Sequence, residues 1–168
     1  MGLRAGVAPS ILVVEDNPAD TFMVERAFRE TNSATKVLSA QDGRTALELL
    51  SAMPESALPD VIVLDLNLPG KDGAQILREM RSDSRLRRIP VIVMSTSSAD
   101  YDINRAYDSG ANLYFTKPYR LDELYRIVGL IDELFFHAAQ LPSPATTASS
   151  DSASEAVNKR HHSWPESP

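Results

Sequence analysis

The sequence predicts an α/β fold, a doubly wound five-stranded parallel sheet in the order 2-1-3-4-5 with five helices, and three observations predict it. Short apolar runs alternate five times with stretches of helical periodicity over short connections, the pattern of right-handed β-α-β crossovers. The central run, Val61-Ile62-Val63-Leu64, is continuously apolar, as a strand buried on both faces must be. Polar groups gather at the C-terminal ends of these runs, the edge where open α/β sheets keep their ligands.

Ser10 to Val14 reads as the first strand, ending at Glu15-Asp16. Asn17-Pro18-Ala19-Asp20 then starts a helix, with Asn17 as N-cap, Pro18 in the first turn, and Asp20 favourable to the helix dipole. This helix runs to about Thr31, with Phe22 and Ala27-Phe28 expected inward. Ala34 to Ala40 is a weaker second strand, whose flanking polar residues suit a sheet edge. A second helix from Asp42 to Ala52 carries Ala46, Leu47, Leu49 and Leu50 as its apolar stripe.

The third strand ends at Asp65, and Leu68-Pro69-Gly70 turns the chain into a helix from Gly73 to Arg81 that buries Ile76, Leu77 and Met80. Pro90 to Met94 is the fourth strand, with Ser95 at its end. A fourth helix spans about Ala99 to Ser109, closed by Gly110 in a left-handed conformation. Asn112 to Thr116 is the fifth strand and leads into Lys117-Pro118. The last helix begins near Leu121 and is expected to reach Gln140. These elements define a domain over 9–140. From Leu141 the composition turns to Pro, Ser, Ala and Thr, so 141–168 is expected to form a flexible tail.

The 168 residues suffice for one domain with a sound core. There is no cysteine, which excludes disulfides, thiolate metal sites and cysteine nucleophiles. A formal charge of -6 argues against nucleic acid or an anionic membrane as partner. No apolar run approaches a membrane span and the N-terminus lacks a secretion signal, so a cytoplasmic protein is expected.

Glu15, Asp16, Asp65, Ser95 and Lys117 should face one crevice, because strands one and three are neighbours at the switch point of this strand order. Two carboxylates about 5 Å apart at an effective dielectric near 20 repel by roughly 3 kcal/mol. Three acids therefore call for protonation, a cation, or both. Oxygen ligands without His or Cys suit Mg²⁺, which together with Lys117 and Ser95 would neutralise a phosphoryl group on Asp65.

As a set, these residues resemble the receiver domains of two-component response regulators. The likeness rests on Val14-Glu15-Asp16, on Asp65 followed by Pro69 and Asp72-Gly73, on Ser95, and on Lys117-Pro118. It implies the flavodoxin-like receiver fold, with Asp65 accepting a phosphoryl group from a histidine kinase or phosphotransfer protein. It further implies Mg²⁺ held by Asp16, Asp65 and the Asn67 carbonyl, with Glu15 through water. Ser95 would follow the phosphoryl group and Tyr114 would swing inward, altering the face of helix four, strand five and helix five. The bond before Pro118 is expected to be cis. Asp65 to Gly73, Arg88-Ile89-Pro90, Ser95-Thr96-Ser97 and Phe135-Phe136 look like the stand-alone regulators paired with bacterial phytochrome kinases, which implies a bacteriophytochrome as donor. The chain departs from many receivers in having Glu15 for Asp and Ser95 for Thr.

On this reading the protein is a signalling module that promotes only its own phosphorylation and dephosphorylation, without enzymatic output. Two alternatives stand beside it: an aspartyl-phosphate phosphatase of the haloacid-dehalogenase type, which wants an acid where Asn67 stands, and a receiver-like scaffold that works without phosphorylation. Arg81, Arg85, Arg87 and Arg88 are expected to be a solvated basic cluster, and His161-His162 an inert pair. The last helix is apolar beyond what one sheet face covers, through Tyr125, Ile127, Leu130, Leu134 and Phe136, so a symmetric homodimer through it is expected.

Overall fold

The computed structural model describes residues 8–32, 34–70 and 72–142. The expected tail, with His161, His162 and Trp164, falls almost wholly on 143–168, outside the described residues. Strands and helices alternate as β1 (Ser10–Val14), α1 (Pro18–Thr31), β2 (Lys36–Ala40), α2 (Gly43–Ala52), β3 (Val61–Leu64), α3 (Gly73–Ser82), β4 (Val91–Ser95), α4 (Asp100–Asp108), β5 (Leu113–Thr116) and α5 (Leu121–Asp132). All the strand pairings are parallel, in the order β2-β1-β3-β4-β5. The predicted topology is the observed one. No described helix is long and apolar enough to cross a membrane.

Strand parity divides the core in two, because successive side chains on a strand point to opposite faces. Ile11, Val13, Val61, Val63, Ile92 and Met94 pack with Val24, Ala27 and Phe28 of α1 and with Leu124, Ile127, Val128 and Ile131 of α5. Leu12, Val14, Ile62, Leu64, Val91 and Val93 pack on the other face with residues of α2, α3 and α4. The register sets Val14 beside Leu64 and Leu64 beside Val93. Glu15 and Asp65 therefore leave the sheet side by side, on the α1/α5 face.

Four expectations are corrected. Phe22 is 55% exposed rather than inward; it lies roughly 200° around the helix from the buried Val24. α5 stops at Asp132 and continues as a π-helical turn over Glu133–Ala138. This turn brings Phe135 and Phe136 both into the core, and Ile127 is buried as well. Tyr125 is drawn to α1, its hydroxyl donating to Glu30, so the apolar surplus of α5 shrinks to Leu121, Leu130 and Leu134.

The third correction concerns the arginines. Arg81 is a staple: it donates to the carbonyls of Gly110, Arg87 and Ile89 and to the Asn112 side chain. Burial pushes its pKa down. Arg85 likewise donates to the carbonyls of Ser51 and Met53. Of the cluster, Arg87 and Arg88 are exposed. Fourth, the Lys117–Pro118 bond is trans, as are the other described peptide bonds. Trans is intrinsically preferred by about 0.5–1 kcal/mol, and Lys117 reaches its acidic partners from it.

Gly110 adopts the expected left-handed conformation, φ 104°. Gly73 is required for a different reason, close approach. A Cβ there would lie 2.6 Å from the Leu66 Cα and 2.8 Å from the Asp65 carbonyl oxygen. Gly73→Ala is expected to lose about 1–3 kcal/mol, because rigid backbone must move; a urea midpoint equal to wild type would contradict this.

Candidate functional site

The site starts from backbone hydrogen bonds that extend the sheet one step past its strands. The Asp65 N–H donates to the Val14 carbonyl at 3.0 Å, and the Lys117 N–H to the Ser95 carbonyl at 2.7 Å. The side chains of Glu15, Asp65 and Lys117 are thereby delivered to one place from β1, β3 and β5. Lys117 Nζ donates to Asp65 Oδ2 at 2.7 Å and to Glu15 Oε2 at 2.6 Å. One carboxylate oxygen from each of Glu15, Asp16 and Asp65 lies within 4.8 Å of the other two. Glu15 and Asp65 are buried, and Asp16 is exposed at the rim.

The loop after β3 completes the cradle. Asn67 donates its backbone N–H to Asp65 Oδ1 at 2.9 Å, and Glu15 Oε1 accepts the Asn17 N–H at 3.1 Å. Ser95 is fully buried but stands on the opposite parity from Asp65. It is joined to the acids through Asn67, whose Nδ2 donates to Ser95 Oγ and to Thr96 Oγ1, both at 3.2 Å. Tyr114 is half-buried against the α2–α4 side of the core, and its hydroxyl donates to the Ser97 carbonyl at 2.7 Å. The predicted residues thus fall into two linked groups, an acid–lysine group and a hydroxyl–aromatic group, bridged by Asn67.

Burial pushes the Glu15 carboxyl above its ordinary value, against the hydrogen bonds of Lys117 and Asn17. Burial also works to lower the Lys117 pKa, but the hydrogen bonds to Asp65, Glu15 and Asp20 outweigh it and the ammonium is held more firmly than in a free lysine. The third of those partners is the residue that sequence reasoning missed. Asp20 Oδ2 accepts from Lys117 Nζ at 3.0 Å. Its position in the first turn of α1 read as a dipole effect, and no local pattern marks its contact with Lys117, which lies 97 residues away in the sequence.

The acid trio fits a divalent cation: three carboxylates converge, the donors are hard oxygens, and the single Lys117 ammonium leaves the group with a net negative charge. The family-model comparison gives a direct match: residues 11–129 match the model of the response regulator receiver domain. The chain belongs to the response regulator receiver family. Receivers are modules of two-component signalling rather than metabolic enzymes, which sets aside the haloacid-dehalogenase alternative.

Among curated relatives it is 37% identical to a probable methanogenesis regulatory protein, FilR2, of Methanothrix harundinacea, over 80% of this chain and 88% of that protein. It is 35% identical to the response regulator Rcp1 of Synechocystis, over 79% of this chain and 92% of Rcp1. Among solved structures it superposes on the phosphorylated cyanobacterial phytochrome response regulator RcpA with a TM-score of 0.75 and 41% identity, covering 82% of this chain and all of RcpA. The Mn²⁺-bound form of Rcp1 follows at TM-score 0.72 and 34% identity, covering 80% of this chain and 99% of that one. This receiver is therefore similar to regulators of the phytochrome type.

Asp16 is exposed at the rim and is not among the three acids that hold Lys117 Nζ, so its charge adds to the repulsion of the trio. Asp16→Asn is expected to raise the melting temperature in metal-free buffer, by the equivalent of about 1 kcal/mol after allowance for solvent screening. The same variant should lose most of the Mg²⁺-induced rise that wild type shows, which for saturation at about 100 times Kd is roughly 2.7 kcal/mol. Differential scanning calorimetry with and without Mg²⁺ measures both; a variant less stable than wild type without metal would refute the repulsion.

Proposed function

We propose that this receiver, over about 9–140, takes a phosphoryl group onto Asp65 from a histidine kinase or phosphotransfer protein, in a Mg²⁺-dependent step. The observation that carries the reading is the single Lys117 ammonium held on the carboxylates of both Asp65 and Glu15. The phosphorus–nitrogen bond of the donor breaks, a bond to an Asp65 carboxylate oxygen forms, and the released nitrogen takes up a proton. Asp16, Asp65 and the Asn67 carbonyl would hold the cation, with Glu15 through water; bound there, it supplies charge neutralisation for the phosphoryl oxygens.

The chain's own residues do the rest. Lys117 offers a fixed ammonium to the incoming oxygens. Ser95, already within hydrogen-bond distance of Asn67 and the Ser97 N–H, supplies a hydroxyl that can turn toward the phosphoryl group. Its movement would be felt at Ser97, where Tyr114 is anchored, and so on the face of α4, β5 and α5. The chain turns over no outside substrate. Similarity to RcpA and Rcp1 supports a bacteriophytochrome kinase as donor. A receiver-like scaffold that ignores phosphorylation is the second reading, and the first experiment below separates the two.

Incubation with a small phosphodonor and Mg²⁺, followed by intact mass, is expected to show one phosphoryl group on wild type and none on Asp65→Asn. Label that persists in Asp65→Asn or forms without Mg²⁺ rules out the assignment.

The dimer is proposed through the remaining apolar surface of α5 and the π-helical turn that continues it, where Leu130 and Leu134 are 50% and 44% exposed one turn apart. Sedimentation at micromolar concentration should give a dimer for wild type and a monomer for Leu130→Arg/Leu134→Arg. A monomer in wild type, phosphorylated or not, would remove this interface.

A further inference from the structure

The Lys117 ammonium has three N–H donors, and three carboxylates take them: Glu15 at 2.6 Å, Asp65 at 2.7 Å and Asp20 at 3.0 Å. Two of these acids, Glu15 and Asp65, belong to the trio that would face a cation; Asp20 does not. It comes from α1 rather than from a strand end, and its side chain is 41% exposed where those of Glu15 and Asp65 are 6% and 4% exposed. Asp20 thus holds the ammonium from outside the acid cluster.

We propose that Asp20 is a positioning residue that acts through Lys117: it competes with a phosphoryl group on Asp65 for the ammonium, and so weakens the site's hold on that group. The inference rests on Asp65 as phosphoacceptor and adds a brake to it. Asp20 Oδ2 and Asp65 Oδ2 touch the same nitrogen, so they are at most about 6 Å apart. Phosphorylation raises the negative charge at Asp65 by about one unit at pH 7, and a like charge at that distance opposes the gain. The N–H now on Asp65 must also pass to a phosphoryl oxygen while Asp20 keeps its own. Both effects act in one direction, toward a less favourable phosphorylated state. Solvent at Asp20 weakens them, which sets the expected size at roughly 3- to 10-fold.

The test titrates beryllofluoride, a phosphoryl mimic that adds to a carboxylate, into the Mg²⁺-loaded full chain by calorimetry. Asp20→Asn should bind it roughly 3- to 10-fold more tightly than wild type, with the gap narrowing as salt rises. Asp20→Glu, which restores the charge, should return toward wild type. With an anionic small phosphodonor, Asp20→Asn should lower the half-saturating concentration by a similar factor at nearly unchanged maximal rate. Equal or weaker binding in folded Asp20→Asn, or in Asp20→Ser should the first variant not fold, overturns the proposal. So does an Asp20→Glu that behaves like Asp20→Asn. Failure of the functional reading looks different: wild type that does not bind beryllofluoride, or Asp65→Asn that still does, sinks the phosphoacceptor assignment and the brake with it.

Discussion

One ammonium holds the candidate site together. Four acids, Glu15, Asp16, Asp20 and Asp65, meet at the C-terminal edge of the sheet, and Lys117 contacts three of them. Its side chain is only 14% exposed, so the attraction is partly desolvated and stronger than a surface pair would be. Yet one positive charge does not balance four negative ones, and the net negative charge that remains favours the addition of a cation.

Strand parity gives the site its two halves. Glu15, Asp65 and Lys117 share the face that α1 and α5 cover, while Ser95 and Tyr114 share the face of α3 and α4. Asn67 links the halves, with its backbone N–H on Asp65 and its side-chain amide on Ser95 and Thr96. Ser97 continues the link: its carbonyl holds the Tyr114 hydroxyl, and its Oγ donates to Asp102 of α4 at 2.6 Å. Arg105 of α4 in turn pairs with Asp72, the N-cap of α3. α4 is thereby tied through Asp102 and Arg105 to the loops that follow β4 and β3.

The end of the domain shows how a local distortion redistributes apolar surface. Phe135 and Phe136 of the π-helical turn are both buried in the α1/α5 core, and buried Asp132 accepts from Asn32 Nδ2 at 3.0 Å and pairs with His137 at 3.1 Å across that turn. The helix therefore leaves less apolar surface outside than its sequence suggests.

The sequence by itself determined the alternation of elements, the buried strands, and which polar groups stand at strand ends, because strand burial and turn chemistry are local and leave their mark in residue type and period. Glu15, Asp16, Asp65, Ser95 and Lys117 could be named for that reason. Tertiary structure alone decided what depends on how separate segments meet: Asp20 reaching Lys117 from α1, Asn67 bridging two parities, Arg81 turned from a charge in a basic run into a staple for carbonyls, and Phe22 left in solvent. Those are contacts between parts of the chain far apart in sequence or on different faces of one helix, and a linear pattern carries no term for the distance between them.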